Sequence, residues 1–225
     1  MRSIMMAMLV AGVAAAPANA QLAVAFRNTV DFGASATDQS GVGFTVAGLS
    51  GISYMGPDAA TPDPDDHKFV AVMDNSSKLV YLRLKVSANG SITSASIIGG
   101  LSLALTRDFE DVVYTGTTRN SVFLSEEDTP AIHELSLSGG GLLRTIAMPS
   151  VFANRRTNFG LESLAMLPSG LNAAVDTSGV SLWTLNEEAL SVDGPLSTPT
   201  SGTVVRAQRF DLANGVASPA VADGQ

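Results

Sequence analysis

The sequence predicts an all-β fold made of tandem four-stranded units. Three observations carry this reading. Similar short segments recur along the chain, apolar residues within them alternate at every second position, and the joints between them are rich in Gly, Asn, Ser and Pro. Long helical periodicity is absent after residue 20.

The first element is an export signal. Arg2 supplies a positive start, residues 4–16 form a short apolar core, and Ala18-Asn19-Ala20 offers the small-x-small pattern that a signal peptidase cuts, so cleavage is expected after Ala20. The apolar run falls short of the ~20 residues a spanning helix needs, and a retained anchor is the competing reading. No later segment has spanning length. Residues 21–225 are therefore expected to form one β domain without a membrane span, periplasmic or secreted.

The repeated units follow. Leu49-Ser50-Gly51-Ile52-Ser53-Tyr54, Phe109-Glu110-Asp111-Val112-Val113-Tyr114 and Leu161-Glu162-Ser163-Leu164-Ala165-Met166 share one pattern. They lie about 50–60 residues apart, near the ~40–50 of known propeller blades once loop insertions are allowed. Each precedes a second strand that ends in acid: Val70-Ala71-Val72-Met73-Asp74-Asn75, Val122-Phe123-Leu124-Ser125-Glu126-Glu127 and Trp183-Thr184-Leu185-Asn186-Glu187-Glu188. This alignment makes Asp74, Glu126 and Glu187 equivalent. A third strand matches without a gap between Leu79-Val80-Tyr81-Leu82-Arg83-Leu84 and Ile132-His133-Glu134-Leu135-Ser136-Leu137, with the period of two of a half-buried strand. Fourth strands are expected at 91–98 and 142–148, after turns at Asn89-Gly90 and Gly139-Gly140-Gly141.

Four strands per unit is a β-propeller blade, and three are recognised, at 49–98, 109–148 and 161–212. The third is less regular, with a hairpin expected at 168–179, a Pro-, Ser- and Thr-rich loop at 193–202 and a later strand at 204–212. Three blades do not readily close a ring, so the propeller is expected to be incomplete or truncated, or to be completed by self-association.

Composition narrows the chemistry. The formal charge is −8, or −9 once Arg2 leaves with the signal, which opposes binding to nucleic acid or anionic lipid. The absence of cysteine excludes disulfides, a thiolate nucleophile and a Cys-ligated zinc site. Gly48-Leu49-Ser50-Gly51 lacks the spacing of a nucleophile elbow. No His-Glu-x-x-His, phosphate-loop or dinucleotide-binding pattern occurs.

The order of Leu49-Ser50-Gly51-Ile52, Asp108-Phe109-Glu110-Asp111, Ser125-Glu126-Glu127-Asp128-Thr129-Pro130-Ala131-Ile132, Asn158-Phe159-Gly160-Leu161-Glu162 and Leu182-Trp183-Thr184-Leu185-Asn186-Glu187-Glu188 resembles the secreted phytase-like family, described by an esterase-like activity of phytase. The likeness covers roughly residues 48–212. It implies a propeller, and a phosphoesterase chemistry resting on acidic residues and directed at a small phosphorylated substrate. Family members are typically longer and carry further blades.

In a blade the inner strand lines the channel and the end of its neighbour reaches the rim, so two acidic series are expected to converge. Glu110 and Glu162 form the first, with Ser50 in the corresponding place of the first unit; Asp74, Glu126 and Glu187 form the second. Converging carboxylates repel one another unless a hard cation or a raised pKa relieves them. Calcium is the ion an oxygen-only set predicts, held by Asp74, Glu126 and Glu187, with Glu110, Glu162 and Glu126 as the catalytic candidates and one glutamate as general base. The competing reading gives these acids a structural duty, tying channel-side loops to backbone amides.

Arg155, Arg156 and Asn158 are the candidates for holding substrate phosphate, against solvated loop charges. His133 reads as a strand-face histidine with a structural contact, and His67, beside Asp63, Asp65 and Asp66, as part of a solvated loop. The functional expectation is thus an exported metal-assisted phosphoesterase. A non-catalytic propeller binding a ligand or protein, or an inactive fragment, stands as the alternative.

Overall fold

The computed structural model describes residues 26–167, 180–212 and 221–222. The expected export signal at 1–20 and the expected hairpin at 168–179 lie outside these. A small hairpin opens the fold, β1 (Ser35–Thr37) against β2 (Gly43–Thr45). Three antiparallel four-stranded sheets follow, each a meander in chain order. Blade 1 is β3 (Leu49–Pro57), β4 (Asp66–Met73), β5 (Ser76–Val86) and β6 (Ile92–Arg107). Blade 2 is β7 (Phe109–Tyr114), β8 (Ser121–Glu126), β9 (Ala131–Ser136) and β10 (Leu142–Ala147). Blade 3 is β11 (Leu161–Leu167), β12 (Val180–Asn186), β13 (Ala207–Leu212) and β14 (Val221–Ala222).

The predicted all-β, blade-like architecture is what the structure shows, and among the described residues the three sheets do not close into a ring. One strand runs beyond its expected end, one was not expected, and the strand expected at 204–212 starts at Ala207. β6 continues from 98 to Arg107, and blade 3 gains a short pairing of Phe210 with Ala222 and of Asp211 with Val221. The only helical element among the described residues is one 3₁₀ turn, Ser150–Asn154, which delivers Phe152 to the core between blades 2 and 3.

Strand alternation explains the stacking, because successive side chains point to opposite faces of a sheet. On β4, Val70 and Val72 face forward and meet Phe109, Val122 and Leu124 of blade 2, while Ala71 and Met73 face back against Ala36 and Val46 of the β1–β2 hairpin and its flank. On β8 the same logic sends Val122 and Leu124 back to blade 1 and Phe123 forward to Leu161, Leu164 and Leu182 of blade 3. Blades 1 and 2 thus bury both faces of their middle strands, while blade 3 buries the face toward blade 2 and leaves Leu185, Ala207 and Asp211 exposed on the other; this burial is the main stabilising term in a chain without disulfides.

Polar links fix the inner strands to one another. The Tyr114 amide donates to Ser53 Oγ at 2.9 Å, and the Leu164 amide donates to Asp111 Oδ2 at 2.7 Å. Close approach is possible because Gly51 has no side chain: a Cβ there would lie 2.6 Å from Asp111 Cα and 2.8 Å from the Val112 nitrogen, both backbone atoms that cannot swing away. Gly51→Ala is therefore expected to push blade 1 off blade 2, costing about 1–3 kcal/mol as overpacking does. Urea denaturation measures this, and an unchanged midpoint would refute the tight inner-strand contact.

Blade 2 also carries a buried charge cluster at the far end of β8 from its acidic terminus. Glu134 is fully buried and accepts from Ser121 Oγ at 2.6 Å, Arg144 Nε at 2.7 Å and Arg119 Nη2 at 2.7 Å. Burial alone would raise its pKa; the hydrogen bonds from Arg119 and Ser121 and the charges of Arg119 and Arg144 outweigh it and hold the carboxyl below the usual range.

Candidate functional site

The site begins with a defect that repeats. In each blade the pairing of the first strand with the second slips by one residue: between Leu49 and Gly51, between Phe109 and Asp111, and between Leu161 and Ser163. The extra residues are Ser50, Glu110 and Glu162. A β-bulge of this kind leaves one residue unpaired and re-aims its side chain, here at the same place on every inner strand.

A second repeated feature lies one residue beyond the second strand. The amides of Asp74, Glu127 and Glu187 donate to the carbonyls of Gly48, Asp108 and Gly160, at 2.7, 2.9 and 3.0 Å. Asp74, Glu127 and Glu187 are therefore the structural equivalents, and Glu126 is displaced from the set in which the sequence alignment put it. Its partner across the ladder is Phe109, just as Met73 pairs with Leu49 and Asn186 with Leu161. One residue of slip reverses the face. Glu126 points back toward blade 1, whereas Asp74 and Glu127 fall in the forward phase and meet the next blade.

The forward phase produces two clusters. Asp74 of blade 1 joins Asp108 and Glu110 of blade 2, and Glu127 of blade 2 joins Glu162 and Glu187 of blade 3; within each triad the carboxylate oxygens lie within 4.8 Å of one another. The local chain is shaped for this. Asp74 sits in a two-residue hairpin turn with Asn75 in the left-handed region (φ 50°), and the Asn75 side-chain amide donates to Asp74 Oδ1 at 2.7 Å. Glu127 accepts from the Gly160 amide at 3.1 Å, and a Cβ on Gly160 would lie 2.7 Å from Glu127 Cγ. Ser50 Oγ donates to Glu110 Oε2 at 2.5 Å, so the serine that replaces a bulge glutamate in blade 1 still belongs to the face.

Crowding of like charges shows in the protonation. Asp74 is pushed up to about 6, chiefly because it shares a hydrogen bond with Asp108, then by burial and the Asp108 charge. Asp108 and Glu110 are both raised, burial being the first cause; Glu127 adds to it for Asp108, and Asp74 and Glu187 for Glu110. Glu162 is pushed up to about 7 by burial and by the charges of Glu110, Glu187 and Glu127. The two triads are thus one electrostatic unit, coupled through Glu110.

A family model described as phytase-like, esterase-like activity of phytase, matches residues 45–222. The chain belongs to the phytase-like family. No curated protein matches it. The matched span of this phytase-like chain contains all three bulges and both acidic triads.

Of the residues named from the sequence, Asp74, Glu110, Glu162 and Glu187 are brought to this face. Glu126 is not. It is buried, accepts from His133 Nε2 at 2.6 Å and lies 3.3 Å from Arg107 Nε. Arg155 donates through Nε to the Asp128 carbonyl at 2.7 Å and through Nη1 to the Arg156 carbonyl at 3.2 Å. Arg156 donates to the carbonyls of Ala189 and Gly194 at 3.1 and 2.6 Å. Both arginines tie loops together in this phytase-like chain. Asn158 adopts a left-handed turn (φ 58°) that feeds Gly160 into β11.

Two site residues escaped the sequence reading, Asp108 and Glu127. The signal for Glu127 was present: Glu126 follows Val122 and Leu124 in steps of two, which assigns it to their buried face and leaves the next acid for the rim. Asp108 has no counterpart in the repeat, since Gly48 and Gly160 hold its place, and repeat logic passes over it.

Proposed function

We propose that the acidic face is a cation-dependent phosphoesterase site, with calcium as the ion, acting on a small phosphorylated substrate outside the cytoplasm after removal of the signal at 1–20. The observation that carries this reading is the recurrence of one device at two successive blade junctions: a bulge residue and the forward-phase acid of the preceding blade, converging to within 4.8 Å. Acids serving only to hold loops would be satisfied by backbone amides, as Asp58 is by Ala60 and Asp63 by Asp65. At this face one acid, Glu127, also accepts from a backbone amide, that of Gly160, but each triad sets carboxylate against carboxylate.

The donor set fits a hard divalent cation. It is all oxygen, and Asp108 Oδ1 is buried without a hydrogen-bond partner, an arrangement a cation would relieve. Asp74, Asp108 and Glu110 would hold one ion and Glu127, Glu162 and Glu187 another. Bound there, such an ion supplies charge neutralisation for a phosphoryl group and acidifies bound water. Glu110 and Glu162, the two bulge glutamates aimed into the face, are the candidates for general base. Ser50 orients Glu110 through their 2.5 Å hydrogen bond.

The test is hydrolysis of an aryl phosphate by the purified mature chain with calcium present. Glu110→Gln and Glu162→Gln are each expected to lower the rate by about a hundredfold or more, in line with loss of a general acid–base group. Undiminished activity in both variants, and in wild type with chelator, would overturn the proposal. Calcium binding without hydrolysis of any phosphate ester would leave the face as a ligand-binding site.

A further inference from the structure

Three residues at the junction of blades 1 and 2 depart from the repeat and form a chain of contacts through Glu126. Arg107 stands where the other blades have Ala47 and Phe159, Glu126 where they have Met73 and Asn186, and His133 where they have Val80 and Gln208. Asn186 serves its own loop, accepting from the Arg206 amide at 2.6 Å. Glu126 instead reaches across the blade 1–blade 2 junction. It lies 3.3 Å from Arg107 Nε and is backed by His133 Nε2 at 2.6 Å, while His133 Nδ1 lies 3.0 Å from Thr145 Oγ1. The Glu126 and His133 side chains are 3 % and 8 % exposed, but that of Arg107 is 49 % exposed. A buried, hydrogen-bonded dyad thus holds a solvent-facing guanidinium from behind.

The guanidinium opens onto a cavity of about 420 Å³ lined by Asn75, Arg107, Asp108, Glu126, Asp128 and Thr129. This cavity adjoins the first acidic triad through Asp108, and through Asn75, which donates to Asp74. Two of its three acids are countered locally, Asp128 lying 3.3 Å from Arg155 Nη2 and Glu126 facing Arg107 and His133; the third, Asp108, belongs to the first acidic triad. Thr129 and the Asn75 amide add neutral polar groups.

We propose that this cavity is the subsite for the substrate's anionic group, with Arg107 as the residue that binds a phosphate or phosphonate oxygen pair, and Glu126 and His133 as positioning residues. The assignment rests on the cation-dependent reading above, since an anion beside Asp108 needs the ion held by Asp74, Asp108 and Glu110 to offset repulsion. Arginine suits the role through its planar fork, which matches two oxygens of one tetrahedral group; lysine supplies charge without the fork.

The experiment uses the mature chain loaded with calcium and titrated calorimetrically with phenylphosphonate, a non-hydrolysable probe. Arg107→Gln is expected to bind calcium within about twofold of wild type and phenylphosphonate at least tenfold more weakly; Arg107→Lys recovers part of the loss, as a point charge without the fork does. Glu126→Gln is expected to weaken phenylphosphonate severalfold with calcium affinity unchanged. Equal phenylphosphonate affinity in wild type and Arg107→Gln, with calcium bound in both, overturns the subsite and leaves the ion site standing. Equal affinity in Glu126→Gln overturns the positioning role. Arginine-dependent phenylphosphonate binding without any calcium binding overturns the ion and the need for it beside Asp108, and supports Arg107 alone as the anion's ligand. A wild type that binds neither overturns both.

Discussion

Calcium affinity is expected to fall by roughly a hundredfold as the pH drops from 8 to 5. The ion competes with protons for the same oxygens, so each carboxyl of raised pKa scales the affinity by the fraction of it that remains ionised. Glu162, pushed to about 7, is almost wholly ionised at pH 8 and almost wholly protonated at pH 5, which supplies about two orders of magnitude in its triad. Asp74, pushed to about 6, supplies about one in the other.

The same shifts have a consequence for the ion-free protein, with the opposite sign from the usual acid. Between the ordinary carboxylate range and the folded values of about 6 and 7, the folded state holds protons that the unfolded state has released. Stability in chelator should therefore decline as the pH rises from about 5 to 7, since the unfolded state binds fewer protons in that window. Acids whose pKa is lowered, such as Asp58, Asp63 and Glu134, act below this range and do not cancel it. Calcium should restore the loss above pH 7. Thermal melts from pH 5 to 8, with chelator and with calcium, read both effects; a melting temperature that climbs with pH in chelator and ignores calcium would sink the converging-carboxylate account.

The largest loss of stability from a single substitution is expected at Glu134, outside the acidic face. Glu134→Ala removes the counter-charge shared by Arg144, itself 9 % exposed, and the partly buried Arg119, and leaves the Ser121 hydroxyl with Thr115 Oγ1 as its remaining side-chain partner. Breaking a buried charge cluster from one side costs about 3–5 kcal/mol, because the remaining charges stay desolvated. In a chain of this size that corresponds to a fall in melting temperature of about 10 °C. Replacing Arg119, Glu134 and Arg144 together by apolar residues should recover much of it, since the penalty comes from like charges left desolvated side by side. Denaturant midpoints of the single and triple variants check this, and a Glu134→Ala protein within about 1 kcal/mol of wild type would show that the cluster contributes little.

The legibility of this protein divides along the line between local and non-local information. The period of two in Val80, Leu82 and Leu84, the turn residues at Asn89-Gly90 and the recurrence of Leu49, Phe109 and Leu161 are local, and they determined the all-β class, the four-strand unit and the family likeness. They also determined that Asp74, Glu110, Glu162 and Glu187 belong to one face. What the sequence left undecided is a matter of single residues. A bulge exists only in the pairing of two strands, so the aim of Ser50, Glu110 and Glu162 is set by the ladder and not by their own segments. The choice between Glu126 and Glu127 turns on which blade each faces, and one residue of slip reverses it. The partners Arg107, Glu126 and His133 come from two different blades, and the cluster around Glu134 gathers three strands and a loop; only the stacking of sheets brings such residues into contact. The alternation of side chains is written in each strand, but which face meets which neighbour is decided by the burial that packs one blade against the next.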